Sequence, residues 1–92
     1  MWGMRWRRRA AEVRVVTRAG CHLCEEMERV VGDVVGGPVD TLDLDAELAS
    51  GGLDPEQHAR WTTLVPVLLV DGREVAHHRV DPGQVRRALG RR

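Results

Sequence analysis

The sequence contains no phenylalanine, no tyrosine and no lysine, and its aromatic residues are three tryptophans. That supply is too small for a module that binds single-stranded nucleic acid by base stacking. Fourteen arginines balance 14 acidic residues, so the formal net charge is zero, which excludes a globally basic nucleic-acid binder. Two cysteines are too few for the disulfide-dense scaffold of a small secreted domain. No apolar run approaches the roughly 20 residues of a membrane-spanning helix.

The chain of 92 residues has the length of one domain. We predict a disordered basic tail over residues 1–11, where arginine stands among tryptophan and glycine without periodicity, and a folded domain over residues 12–92. Attachment of the tail to RNA or to an anionic surface is the alternative interpretation. The basic start leads into no apolar segment of the kind found in secretory signals, so we expect the cytoplasm, where thiols are kept reduced.

The first half of the domain has the pattern of a strand, a helix and a second strand. Residues 13–17 are β-branched and predict the first strand. The helix is predicted from apolar residues on one face, which are Leu23, Met27, Val30, Val31 and Val34. Gly36-Gly37-Pro38 ends it, and a second strand is predicted over residues 39–45. A helix that connects two strands in this way predicts a parallel pair with a right-handed crossover.

The second half predicts a short helix, a hairpin and a last helix. Asp54-Pro55-Glu56-Gln57 starts the short helix, which runs to about Trp61. Strands over residues 65–70 and 74–80 flank Asp71-Gly72, a hairpin turn signal, and Asp81-Pro82-Gly83-Gln84 starts the last helix. The order β-α-β-α-β-β-α predicts an α/β fold with a four-stranded mixed sheet flanked by helices on both faces.

The candidate chemistry lies in Cys21-His22-Leu23-Cys24, directly after the first strand. This spacing indicates a redox dithiol or half of a metal site. At a helix N-cap, Cys21 would have backbone N–H groups and the helix dipole to favour its thiolate. Cys24 lies one turn further into the helix and should be more buried. We therefore interpret Cys21 as the nucleophile that forms a mixed disulfide and Cys24 as the thiol that resolves it.

A metal-binding module is the alternative use of the same cysteines. A closed zinc site needs four ligands, and the further candidates are His58, His77 and His78. His77 and His78 are adjacent on a predicted strand and should point to opposite faces, which makes a closed site hard to build. An iron–sulfur cluster shared between two chains is a second form of this alternative. We predict that no residue serves as a metal ligand.

The order of these features resembles the thioredoxin fold. A strand that ends in CxxC, a helix that begins there, Val65-Pro66 before the third strand, a hairpin and a last helix carry the resemblance over roughly residues 12–90. The length and the lead-in Arg18-Ala19-Gly20-Cys21 are similar to glutaredoxin, and in detail to the small bacterial glutaredoxin-like proteins. The resemblance implies a thiol–disulfide oxidoreductase that reduces protein or glutathione mixed disulfides.

The resemblance also implies partners and site roles. The chain should be a monomer without a bound cofactor, supplied with electrons by glutathione or a reductase. Pro66 would be a cis-proline that exposes the backbone N–H and C=O of Val65 to a substrate, and Arg18 would contact a glutathione carboxylate. His22 and Leu23, between the cysteines, complete the predicted substrate-binding set. An ordinary trans proline and a solvated surface arginine are the alternatives for Pro66 and Arg18.

Two departures from the glutaredoxin pattern leave glutathione binding open. Leu23 stands where tyrosine is common, and Val80-Asp81-Pro82-Gly83 stands where paired glycines hold the γ-glutamyl end of glutathione. A third candidate function is a small adaptor that keeps the fold and binds an extended peptide along the Val65-Pro66 groove without turnover.

Overall fold

A four-stranded sheet with the order β2-β1-β3-β4 forms the centre of the chain. The computed structural model describes residues 11–90. The strands are β1 (Val13–Thr17), β2 (Asp40–Asp43), β3 (Val67–Val70) and β4 (Arg73–His77). β1 and β2 are parallel, whereas β1 with β3 and β3 with β4 are antiparallel. The predicted mixed sheet and thioredoxin-like α/β fold are confirmed. The predicted tail lies, apart from Ala11, outside the described residues.

Four helices flank the sheet among the described residues. They are α1 (His22–Val35), α2 (Leu44–Ser50), α3 (Pro55–Thr62) and α4 (Pro82–Gly90). Three of them correspond to the predicted helices. None of the described helices has the length and apolar character that a membrane crossing requires.

Helix α2 is the element that the sequence pattern did not predict. The strand expected over residues 39–45 ends at Asp43, and a helix begins at Leu44. The cause is local, because the Asp43 carboxylate accepts hydrogen bonds from the backbone N–H groups of Asp45 and Ala46 at 3.1 and 3.0 Å. Capping of this kind favours a helix over continued strand. Gly51, with φ of 84°, ends the helix.

The β3–β4 hairpin forms at the predicted turn, but β4 is shorter than expected. Asp71 and Gly72 have φ of 52° and 82°, the left-handed pair that a tight two-residue hairpin needs. β4 ends at His77, because His78 adopts φ of 67° and leaves the strand. The prediction that His77 and His78 point to opposite faces is therefore wrong. Their rings meet edge to face, with centroids 4.8 Å apart.

The two faces of the sheet carry separate apolar clusters. The α1/α4 core consists of Val15, Met27, Val31, Leu68, Val70 and Val85. The α2/α3 core consists of Val16, Leu44, Trp61, Val67 and Leu69. Neighbouring residues of one strand point to opposite faces, so β1 and β3 each supply both cores.

The sheet register brings three chain segments to one end of the domain. Val16 of β1 pairs with Val67 of β3, and Val67 pairs with His77 of β4. The segment that follows β1, the segment that precedes β3 and the segment that follows β4 therefore lie side by side. These segments contain Cys21, Pro66 and the start of α4.

Candidate active site

Cys21 is the N-cap of α1, as the sequence predicts. Its backbone is extended, and its sulfur accepts a hydrogen bond from the backbone N–H of Cys24 at 3.1 Å. Its carbonyl oxygen accepts the first helical bond from Glu25 at 3.2 Å. The sulfur thus lies over the first turn, where unpaired N–H groups and the helix dipole favour negative charge. This position suits a thiolate.

The two cysteines differ in access to solvent. Cys21 is partly exposed, whereas Cys24 is 1% exposed. Their sulfur atoms are at disulfide-bonding distance, with the Cα atoms 5.2 Å apart. An incoming thiol or disulfide therefore meets Cys21 first, and Cys24 is placed to reach only Cys21.

The two residues between the cysteines face different surroundings. The His22 side chain is 99% exposed, and its Nδ1 lies 3.7 Å from a carboxylate oxygen of Glu25. Leu23 is partly buried and lines a cleft of about 290 Å³ between α1 and the segment before α4. Of this pair, Leu23 is the residue that contributes to a surface concavity beside the disulfide.

Val65 and Pro66 lie in the segment before β3. Their peptide bond is cis, and the Pro66 side chain is fully buried. The backbone N–H of Val65 donates to the carbonyl oxygen of Trp61 at 2.9 Å. The prediction that this N–H is offered to a substrate is therefore wrong, because the turn after α3 already uses it. Within residues 11–90, the carbonyl oxygen of Val65 accepts no hydrogen bond.

Arg18 is held by other side chains in the described part of the chain. Its Nε and one terminal nitrogen donate to the two carboxylate oxygens of Asp45 at 2.9 and 3.0 Å. The same terminal nitrogen donates to the Thr62 hydroxyl at 3.0 Å. The side chain is 32% exposed, so it is not the freely solvated arginine of the alternative interpretation. Arg18 joins the segment before Cys21 to α2 and to the end of α3.

Asp45 is the centre of this network. The hydrogen bonds from Arg18, followed by the one from His58 Nε2 at 2.8 Å, hold the pKa of the Asp45 carboxyl well below its usual range. The same Asp45 hydrogen bonds raise the pKa of Arg18. Sequence reasoning had no signal for this contact, because Arg18 and Asp45 are 27 positions apart.

His78 is an exposed residue of the site that the sequence indicated only as a candidate zinc ligand. Its backbone N–H donates to the Pro66 carbonyl oxygen at 2.8 Å, and its Nε2 lies 3.1 Å from the Thr63 carbonyl oxygen. It also lines the cleft beside Leu23. His78 therefore connects the start of α4 to the Val65-Pro66 segment.

A reciprocal capping box closes the N-terminus of α4. The Asp81 carboxylate accepts from the backbone N–H of Gln84 at 2.9 Å, and the Gln84 side-chain oxygen accepts from the backbone N–H of Asp81 at 3.0 Å. The predicted helix start is confirmed. Two N–H groups that would otherwise face the cleft are satisfied within the chain.

A metal site would need more ligands than the described residues bring together. Residues 11–90 contain no group of three or more His, Cys, Asp or Glu side chains placed to hold one ion. His58 is bound to Asp45, and the rings of His77 and His78 contact each other. None of the three candidate histidines is thus placed with the cysteines as a ligand set.

Comparison with known proteins shows which family the sequence matches. A family model described as "Glutaredoxin-like domain (DUF836)" matches residues 12–90. Uncharacterized protein Rv0508 of Mycobacterium tuberculosis is 30% identical over 83 residues, which cover 87% of this chain and 84% of the relative. Uncharacterized protein Mb0520 of Mycobacterium bovis matches with the same identity and the same coverage. The names of these two relatives state no activity.

Proposed function

Because the chain belongs to the glutaredoxin-like domain family, we propose that it is a thiol–disulfide oxidoreductase that works through Cys21 and Cys24. The main observation in support of this proposal is that the two cysteines differ in exposure to solvent. Cys21 caps α1 and is partly exposed, whereas Cys24 lies one turn inside at 1% exposure. A reactive thiolate in front of a shielded second thiol is the arrangement that two-step disulfide exchange requires.

The proposed reaction has two exchange steps. In the reduced chain, the Cys21 thiolate attacks one sulfur of a substrate disulfide, so that bond breaks and the other substrate sulfur leaves as a thiolate. A mixed disulfide now joins Cys21 to the substrate. Cys24 loses its proton and attacks the Cys21 sulfur, which releases the second substrate thiol. Two electrons have then passed to the substrate, and the chain carries the internal disulfide.

Return to the dithiol form needs an external reductant. A dithiol protein such as a reductase, or two molecules of glutathione, would supply the two electrons by the reverse exchange. The chemistry needs no bound cofactor, and one copy of the chain contains both thiols. The cytoplasm would be the matching compartment, because its thiol pools are kept reduced.

Redox equilibration tests the proposal. The metal-free chain is incubated in graded dithiothreitol buffers, acid-trapped and weighed intact. We expect a reversible loss of the mass of two hydrogens with a definable midpoint. Cys21→Ser should abolish reduction of a disulfide substrate, while Cys24→Ser, the matched control, should accumulate the mixed disulfide. Cysteines that stay reduced at every potential, or a Cys21→Ser variant with full turnover, would overturn the proposal.

The two other candidate functions separate from this one by simple measurements. A metal-binding module, with zinc or a shared iron–sulfur cluster, predicts stoichiometric metal or colour in the purified protein and its loss in Cys21→Ser. A peptide-binding adaptor predicts capture of a peptide that persists in the Cys21→Ser/Cys24→Ser variant. The capping geometry of Cys21 supports the redox function over both, because neither of them requires one exposed and one shielded sulfur.

A further inference from the structure

His78 has a backbone conformation that residues with a side chain rarely adopt. Its φ of 67° lies in the left-handed region, which glycine enters without steric cost. His78 directly follows the last residue of β4 and is exposed. Burial therefore does not hold His78 in this conformation, and its polar contacts must do so.

Two hydrogen bonds connect His78 to the turn of residues 63–66, which leads into β3. The backbone N–H of His78 donates to the carbonyl oxygen of Pro66 at 2.8 Å. Its Nε2 lies 3.1 Å from the carbonyl oxygen of Thr63. Because a carbonyl oxygen can only accept, Nε2 is the donor in this contact. One residue thus binds both ends of the turn, one end with its backbone and the other with its imidazole.

The imidazole supplies a contact that the rest of the described chain does not replace. The backbone N–H groups of Leu64 and Val65 both donate to the Trp61 carbonyl oxygen at 2.9 Å, which holds the turn to the end of α3. The carbonyl oxygen of Thr63 has no partner within residues 11–90 other than His78. Loss of the imidazole therefore frees one end of the turn and leaves the other end bound.

The turn and His78 lie beside the cysteines. His78 and Leu23 line the same cleft of about 290 Å³, and Leu23 stands between Cys21 and Cys24. The pairing of β1 with β3 places the segment before β3 next to the segment that follows β1. A shift of the turn would therefore change the space in front of Cys21.

We propose that His78 is a positioning residue for thiol–disulfide exchange at Cys21, and that it acts through the turn of residues 63–66. The inference rests on the proposed function and assigns a role to a residue outside the CxxC motif. Exchange requires the attacking, central and leaving sulfurs to be aligned, so its rate depends on the shape of the surface beside Cys21. The hydrogen bond from the imidazole to Thr63 fixes that shape.

The test compares three substitutions of His78 in the reduced full-length chain. His78→Gly removes the imidazole, keeps the backbone donor and accepts the left-handed conformation. His78→Asn also accepts this conformation, but its side chain is too short to reach Thr63. His78→Gln carries an amide N–H at a reach similar to that of Nε2 and can restore the hydrogen bond. Each chain reacts with a neutral peptide disulfide, and acid trapping followed by intact mass measures the rate.

We expect His78→Gly and His78→Asn to react about three- to tenfold more slowly than wild type, because small displacements of a reacting site have effects of this order. His78→Gln should stay close to the wild-type rate. Alkylation of Cys21 by iodoacetamide at the same pH should be unchanged in all three variants, because the turn is altered and the thiolate is not.

Two controls separate this role from a general effect on folding. His77→Gln makes the same change at the neighbouring residue, whose ring contacts His78 but makes no hydrogen bond within residues 11–90, and should leave the exchange rate unchanged. Urea denaturation of His78→Gly should give a midpoint near that of wild type, because relief of the left-handed backbone offsets the lost hydrogen bond. Slow exchange in a chain of normal stability is then an effect on the site.

The outcomes distinguish the inference from the proposed function. Wild-type exchange rates in His78→Gly and His78→Asn would overturn the inference, and so would an equal loss in all three variants, because the side-chain donor would then not be the cause. A parallel loss of alkylation would also overturn it, since the effect would lie on Cys21 itself. In each of these cases the wild-type chain still reduces the disulfide, and the oxidoreductase function stands. A wild-type chain that does not react would overturn both.

Discussion

The two faces of the sheet are held by different kinds of interaction. The α1/α4 face is an aliphatic core, and the arginine–carboxylate pair Arg79 with Glu26 lies at its rim. On the α2/α3 face, each of two carboxylates binds an arginine through two hydrogen bonds. These pairs are Asp45 with Arg18 and Glu74 with Arg60. The cysteines lie on α1 and thus belong to the face without such pairs.

Because of this difference, the position of α1 and the positions of the segments around the disulfide depend on different interactions. Apolar packing is non-directional and sets where α1 lies on the sheet. The segments that flank the disulfide are instead fixed by directional contacts on the opposite face. Arg18, which precedes Cys21, donates a hydrogen bond to Thr62, which precedes the Val65-Pro66 turn. The polar network on the α2/α3 face therefore holds the two sides of the candidate site in register.

The largest effect should come from the α1/α4 core. Met27 is 2% exposed and packs under the first turns of α1. We expect Met27→Ala to lower the free energy of unfolding of the oxidised chain by about 2–5 kcal/mol, because burial is lost and a cavity remains. Chemical denaturation with the disulfide intact measures this. Val35→Ala on the same helix is the control, since Val35 is 39% exposed and should cost less than about 0.5 kcal/mol. Equal costs would contradict packing as the force that holds α1.

Local signals explain why much of the fold was predictable. The apolar spacing of α1, its end at Gly36 and the Asp71-Gly72 hairpin depend on residues within a few positions of each other. The position of Cys21 at the N-cap followed from the same local reading. Each of these features is decided by backbone capping and side-chain period, which the sequence displays directly.

The features that the sequence did not predict depend either on competition between strand and helix patterns or on contacts between residues far apart in sequence. Residues 42–45 alternate like a strand, but the Asp43 carboxylate caps a helix at the same place and ends the strand. The Arg18–Asp45 pair and the turn of His78 toward Thr63 join residues far apart in sequence. Such contacts follow from the assembled topology, so no local pattern indicates them.

A moderate effect is expected for the network of Arg60, Trp61 and Glu74. The Trp61 indole N–H donates to the Glu74 carboxylate at 3.0 Å. The pKa of that carboxyl is lowered first by its hydrogen bonds from Arg60 and then by the one from Trp61. A double-mutant cycle of Trp61→Phe and Glu74→Ala should give a coupling of about 1 kcal/mol, less than for a buried charged hydrogen bond because Glu74 is accessible to water. Urea denaturation of the four chains measures it. A coupling near zero would show that the Trp61–Glu74 hydrogen bond does not help to hold the α2/α3 face.

The smallest effect, and the one that best separates the faces, is expected for Asp45→Asn. The pKa of Asp45 is lowered in the folded chain, first by Arg18 and then by His58. The folded state therefore gains stability from the ionised carboxylate at neutral pH, begins to lose it as the pH falls to the ordinary carboxyl pKa of about 4, and loses the rest toward the lower pKa of the folded chain. Denaturation between pH 7 and pH 3 should show wild type and Asp45→Asn converging, while the cost of Met27→Ala stays constant. A gap between wild type and Asp45→Asn that does not change with pH would mean that Asp45 acts through shape rather than charge, and the contrast between the two faces would fail.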